Sequence, residues 1–231
     1  MQPQQLPLDL GMREQRDLDS FVPGENAVVV DLIRRMIGER LEPQLFLWGA
    51  AGSGKSHLLQ GACAEMSRQG GMVAYLPLEE FACMGSDVLE GLETMDLVCV
   101  DDVEHAAGNP VWEQGLFGLI NRVRDAGGRL IFAADAPPDQ LGIQLPDLVS
   151  RLGWGPVFRM VELDDEGKVE ALQRRAGKRG LELPPEVAGF VLRRYPRDLS
   201  RLFDLLDTLD NASLAAQRRL TVPFVKSVLE S

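Results

Sequence analysis

Apolar and polar positions along this chain fall into two regimes. From residue 26 onward, short runs that are apolar throughout alternate with stretches whose apolar residues recur every three or four positions. The runs Leu45–Trp48, Met72–Leu76, Leu97–Asp101, Leu130–Ala134 and Val157–Val161 read as strands. A strand that is apolar on both sides has both faces covered, as in a parallel sheet. Val29, Leu32, Ile33 and Ile37 make one helical stripe within Asn26–Arg40, and Lys55–Gln69 and Pro110–Asp125 read as further helices. The predicted class is α/β, a doubly wound five-stranded parallel sheet with helices on both faces. Such sheets bind ligands beyond the carboxyl ends of their strands.

Past Leu163 the pattern is helical only. Asp165 is expected to cap a helix running to about Lys178 and ended by Gly180. Pro184-Pro185-Glu186 opens another, to about Arg194; Leu199, Leu202, Phe203, Leu206 and Leu209 define an amphipathic third, and Thr221 starts a short last one. An all-α domain over residues 164–231 therefore follows an α/β domain over 24–163. Residues 1–23 are polar, carry proline and show no helical period, so they read as a mobile arm.

The turn after the first strand changes the picture from fold to chemistry. Gly49-Ala50-Ala51-Gly52-Ser53-Gly54-Lys55-Ser56 fits G-x-x-x-x-G-K-[ST] in a strand–loop–helix context. Glycines there let successive backbone N–H groups face one anion, and the helix start adds its positive end. Lys55 supplies a point charge for the β- and γ-phosphates and Ser56 a hydroxyl for Mg²⁺. His57 follows at the same helix start and reads as a structural member of the loop. Leu97-Val-Cys-Val-Asp101-Asp102 is an apolar strand ending in two carboxylates, with Asp101 the Mg²⁺ partner and Asp102 the water-orienting group. Taken alone, paired acids at a strand end are equally common in turns.

Composition narrows the function. The net charge is −11, and no dense Lys/Arg run occurs, which argues against gripping DNA phosphates or reading a DNA sequence. Cys63, Cys83 and Cys99 each sit in an apolar stretch and read as buried reduced thiols of a cytoplasmic protein. No run approaches the length of a membrane span, and no signal peptide is expected. His105 reads as a surface or cap residue, and Trp48, Trp112 and Trp154 as packing groups, with a part in shaping a partner surface the alternative for Trp154.

The order of further motifs points to a family. Phosphate loop, Val100-Asp-Asp strand, Ile131-Phe-Ala-Ala-Asp135-Ala-Pro-Pro138, Ser150-Arg151-Leu-Gly-Trp-Gly155 and Pro196-Arg197-Asp-Leu-Ser-Arg201 occur in sequence. This resembles the AAA+ core of the bacterial initiator DnaA, and closer still the Hda regulators homologous to DnaA. The resemblance covers nearly the whole chain and implies an AAA+ P-loop NTPase with a small α-helical lid. It implies that Asp135 is the sensor 1 acid, Arg197 the sensor 2 arginine, and Arg151 an arginine finger reaching a neighbouring subunit's nucleotide. It also places Phe21 and Val22 beside the base of an adenine nucleotide, ADP or ATP. Without the motif order, Arg151 and Arg197 would read as surface groups and Asp135 as a turn former.

Gln5-Leu6-Pro-Leu8-Asp-Leu10 is similar to motifs that bind the ring-shaped replication sliding clamp. An extended segment offers Leu8 and Leu10 to an apolar groove while the Gln5 amide fills a polar pocket. Initiators of the family carry a further DNA-reading domain after the lid, and none is expected before Ser231 here. The implied function is negative regulation of replication initiation. The chain would dock on the clamp and stimulate hydrolysis of DnaA-bound ATP, its own hydrolysis weak or absent, with self-association an open possibility. The alternative is an autonomous helicase-loader-like ATPase on single-stranded DNA, which needs a basic channel with stacking aromatics.

Overall fold

The computed structural model describes residues 17–39, 42–81, 84–216 and 218–229. Strands β1 (Gln44–Trp48), β2 (Val73–Pro77), β3 (Leu97–Asp101), β4 (Arg129–Ala134) and β5 (Val157–Arg159) form one parallel sheet in the order β2-β3-β4-β1-β5. In register, Phe46 pairs with Phe132 on one side and Val157 on the other. Helices α1 (Ala27–Glu39) and α2 (Lys55–Arg68) precede the short α3 (Leu78–Phe81); α4 (Pro110–Asp125) and α5 (Pro146–Leu152) follow.

Alternation along each strand builds a core on either side. Leu45, Leu47, Cys99 and Ile131 pack with α1 and α2, while Phe46, Val98, Val100 and Phe132 pack with α4 and α5. All eight are fully buried, so the sheet is covered on both faces, as its uninterrupted apolar runs require. Trp112 belongs to the second core, and Cys63 and Cys99 are buried free thiols. Cys83 lies outside the described residues.

The lid is helical: α6 (Asp165–Lys178), α7 (Pro185–Arg194), α8 (Leu199–Ala216) and α9 (Val222–Leu229) close over a separate core including Leu172, Val187, Leu206 and Phe224. Its cap differs from expectation. Asp164, not Asp165, accepts from the Gly167 N–H at 2.8 Å, because Asp164 is still extended while Asp165 is already in the first turn. The fifth strand also stops early. Met160 still donates to Trp48, but the Val161 N–H turns to the buried Asn26 side chain at 2.9 Å.

The reading of residues 1–23 as one arm is corrected for its last part. Leu18, Phe21 and Val22 are buried, with Leu18 and Phe21 packed beside α2 in the first core. Residues 1–16, including Gln5, Leu6, Leu8 and Leu10, lie outside the described residues. No helix among the described residues is long and apolar enough to cross a membrane.

Candidate nucleotide site

Beyond the carboxyl ends of the strands a cavity of about 830 Å³ opens between the sheet and the lid. Its phosphate end is the loop between β1 and α2, where Ala51, Gly52, Ser53, Gly54, Lys55 and Ser56 line the wall. Gly54 takes the left-handed conformation at φ +93°, and a Cβ there would stand 2.6 Å from the Phe21 ring. Only glycine satisfies both the backbone and the neighbour. Gly49 faces the Met160 carbonyl so closely that a Cβ would sit 2.7 Å from its oxygen. Lys55 Nζ donates to the Gly49 and Ala50 carbonyls at 2.6 and 3.0 Å, drawn back along the loop it starts from.

His57 is the bracket between this loop and the N-terminal segment. Its Nε2 lies 3.1 Å from the Asp17 carbonyl and 3.3 Å from Ser20 Oγ, and its ring meets Phe21 edge-on at 5.4 Å. The lid holds the same segment from the other side. Lys178 donates to the Asp17 carboxylate at 2.6 Å, and Arg174 reaches the Asp19 and Phe21 carbonyls. Asp17, Ser20, Phe21, Val22, Asn26 and His57 consequently line the cavity beside the loop.

The two acids after β3 part company. Asp101 is fully buried, accepts from the Tyr75 hydroxyl at 2.8 Å and stands behind the cavity wall. Burial and this carboxylate push the Tyr75 phenol far up. Asp102 turns into the wall through a left-handed conformation, φ 56°, held by no other non-glycine among the described residues. Burial, then repulsion from Asp101, Glu104 and Glu79, raises its carboxyl to about 6. Glu104 is raised too, by burial and by Asp135 nearby, and accepts from the Asp135 N–H. The wall carboxylates are thus Asp17, Glu79, Asp102, Glu104 and Asp135, and Asp101 is not among them. His105 folds back on the Asp102 carbonyl at 3.2 Å.

A raised carboxyl has a sign. Between 3.8 and about 6 the folded chain keeps a proton that the unfolded chain releases, so Asp102 costs stability increasingly as pH rises through that window. Asp102→Asn, neutral and tolerant of left-handed φ, is therefore expected to raise the melting temperature at pH 7.5, by about 2–4 °C for each kcal/mol regained. At pH 4.5 the gain should be smaller. Melting curves without nucleotide or Mg²⁺ test this, and an equal gain at both pH values would refute it.

Arg197 is not brought to the cavity. It pairs with Asp165 at 3.4 Å, both groups more than half exposed, just before α8. The lid cations that line the cavity come instead from α6: Arg175, Lys178 and Arg179. Their three-and-four spacing was a readable sign of a shared face. Arg175 stacks over Phe203 at 4.4 Å, and Arg179 pairs with Asp207 at 2.5 Å. Arg151 also stands outside the cavity, in the last turn of α5. Its guanidinium lies 3.5 Å from the centre of the Trp154 ring, and that indole is 48% exposed, so Trp154 is not the packing group its sequence suggests.

The phosphate loop, the positive end of a 14-residue helix, Lys55 and a polar–apolar cleft of nucleotide size fit an adenine nucleotide. Comparisons with known proteins agree. The model of the bacterial DnaA ATPase domain matches residues 12–159, and that of the Hda lid domain matches residues 165–229. A structure described as a DNA replication initiation factor is 26% identical, with a TM-score of 0.70, over 84% of this chain and 64% of that one. The chain therefore spans less than two thirds of that protein's length. AMPPCP-bound DnaA from Aquifex aeolicus is 26% identical at a TM-score of 0.68, covering 83% of this chain and 64% of the other. Domain III of Thermotoga maritima DnaA shares the fold at a TM-score of 0.80 and 22% identity, over 94% and 96% of the two chains.

Proposed function

The chain belongs to the bacterial DnaA ATPase-domain family, and we propose that within it the chain acts on the initiator as an Hda-type regulator. It binds ADP or ATP in its own cavity and presents Arg151 to the nucleotide of ATP-bound DnaA, accelerating hydrolysis there. Binding of AMPPCP by the Aquifex aeolicus relative supports the adenine nucleotide. Lys55 and the N–H groups of the loop would hold its phosphates, and Phe21, Val22 and Asn26 line the same cavity. The neighbouring carboxylates of Glu79, Asp102, Glu104 and Asp135 beside a polyphosphate favour a divalent cation between them, and Ser56 with Asp102 offers the oxygen donors that Mg²⁺ takes. Mg²⁺ would neutralise phosphate charge; Asp102 and Asp135 would orient water or sense the phosphate end.

Arg151 carries this reading. It stands outside its own chain's cavity, and among the described residues its guanidinium meets aromatic rings and no carboxylate. A guanidinium placed so serves a nucleotide other than its own. The test is single-turnover hydrolysis of DnaA-bound ATP with and without this chain, in the presence of clamp loaded on DNA. Stimulation of the partner, with negligible turnover by the pure chain, supports the reading. Turnover by the pure chain that depends on single-stranded DNA would favour a helicase-loader-like motor.

Docking on the sliding clamp through Gln5, Leu6, Leu8 and Leu10 belongs to the same proposal. Deleting residues 1–10, or changing Leu8 and Leu10 to Ala, should abolish retention on immobilised clamp while nucleotide affinity stays unchanged. Undiminished retention would remove the docking step.

A further inference from the structure

On a chain with 35 acidic and 24 basic residues, an arginine finds a carboxylate easily. Arg34, Arg68, Arg122, Arg174 and Arg197 each do so. Arg124 and Arg151, among the described residues, do not. Both go to one indole instead: their guanidinium carbons lie 4.1 and 3.5 Å from the centre of the Trp154 ring. The two cations are therefore at most 7.6 Å apart, the sum of those distances. Like charges at that range repel, so the arrangement gains from an anion that meets both.

The backbone beneath is fixed. The buried Gln44 side chain donates to the Arg151 and Leu152 carbonyls at 2.7 and 3.1 Å, and Trp154 N–H donates to the Arg151 carbonyl. Arg124 lies in the last turn of α4 and Arg151 in that of α5, so both cations leave rigid helices toward the same ring. Stacking uses the flat face of a guanidinium and leaves its in-plane N–H donors for phosphate oxygens. It also restrains a long side chain that would otherwise lose rotamer freedom on reaching a ligand.

We propose that Trp154 is the positioning residue of this surface, holding Arg151 and Arg124 as one paired cation. The pair fits the polyphosphate of a nucleoside triphosphate carried by a second AAA+ subunit. Arg151 makes the transition-state contact, and Arg124 adds charge that draws the phosphates in. This rests on the role given to Arg151 above and extends it to Trp154, three residues on in the same motif, and to Arg124, which belongs to no motif quoted above.

The full chain is tested in the same single-turnover assay, with ATP-loaded DnaA and clamp on DNA. Trp154→Leu keeps an apolar side chain and loses the π face; it should lower the maximal rate about two- to fivefold, the share of one exposed cation–π contact. Trp154→Phe should recover most of that loss. Arg124→Gln should leave the maximal rate near wild type, raise the concentration for half-maximal stimulation several-fold and flatten its dependence on salt, because it removes one screened charge. The chain's own ADP affinity and melting temperature should be unchanged in all three.

A Leu variant that stimulates at the wild-type rate, or a Phe variant no better than Leu, would overturn the proposal while leaving Arg151 in its role. So would oligo-dT binding lost in Trp154→Leu with stimulation intact, which would make the indole a stacking platform for single-stranded DNA. If the wild-type chain fails to stimulate at all, the Arg151 reading falls and this inference with it.

Discussion

Arg151→Ala is expected to slow the stimulated hydrolysis of DnaA-bound ATP by about 10³-fold or more, the usual loss when a finger supplied in trans is removed. The chain itself should be little disturbed. Arg151 is held by Trp154 and Phe117 on the outside of α5, makes no ion pair among the described residues and does not line the cavity. Folding, ADP affinity and clamp retention should therefore match wild type. Arg151→Lys should fail almost as badly, since an ammonium neither forks onto two phosphate oxygens nor stacks flat on the indole. Should either variant stimulate at the wild-type rate, Arg151 is a structural arginine and hydrolysis in trans needs another source.

Lys55→Ala is expected to weaken binding of ADP or ATP by at least about 100-fold, roughly 3 kcal/mol, as for truncation of one partner in a hydrogen-bonded charge pair. Here the lysine holds the Gly49 and Ala50 carbonyls. It must release them to reach phosphate, so part of its attraction replaces bonds it already makes. Those two bonds join residues of one loop and no core side chain, so melting without nucleotide should barely move. Calorimetric titration of the wild-type chain and Lys55→Ala with ADP settles the matter. Unchanged affinity would mean that the loop does not bind phosphate.

Much of this was legible in the chain because it is local. Five apolar runs gave five strands, and the glycine spacing of 49–54 fixed the phosphate loop, since left-handed backbone at Gly52 and Gly54 admits little else. The pieces at Ser86–Leu89 and Leu92–Thr94 escaped notice, being too short to show a period. What was not legible depends on distance in sequence. Nothing near Asp17 announces that Lys178 will hold it, and nothing near Glu104 says that Asp135 lies against it. Arg197 shows the converse hazard: a motif put it at the phosphates, whereas an exposed Asp165 takes its guanidinium and three α6 cations line the cavity instead. A weak, solvent-screened pair of this kind does not bar movement, but it puts the side chain elsewhere.

The clasp on Asp17 also sets a leash length. His57 grips that residue from the phosphate-loop helix and Lys178 from the lid, so Asp17 is pinned at the nucleotide cavity. From Leu10 to Asp17 there are seven Cα steps, which span at most about 25 Å even when fully extended. A partner held on residues 5–10, as proposed above, would thereby be confined to a small volume around the cavity mouth, at an effective concentration on the order of millimolar. At that concentration even a weak second contact between the docked assembly and this face would be occupied most of the time, without any gain in intrinsic affinity.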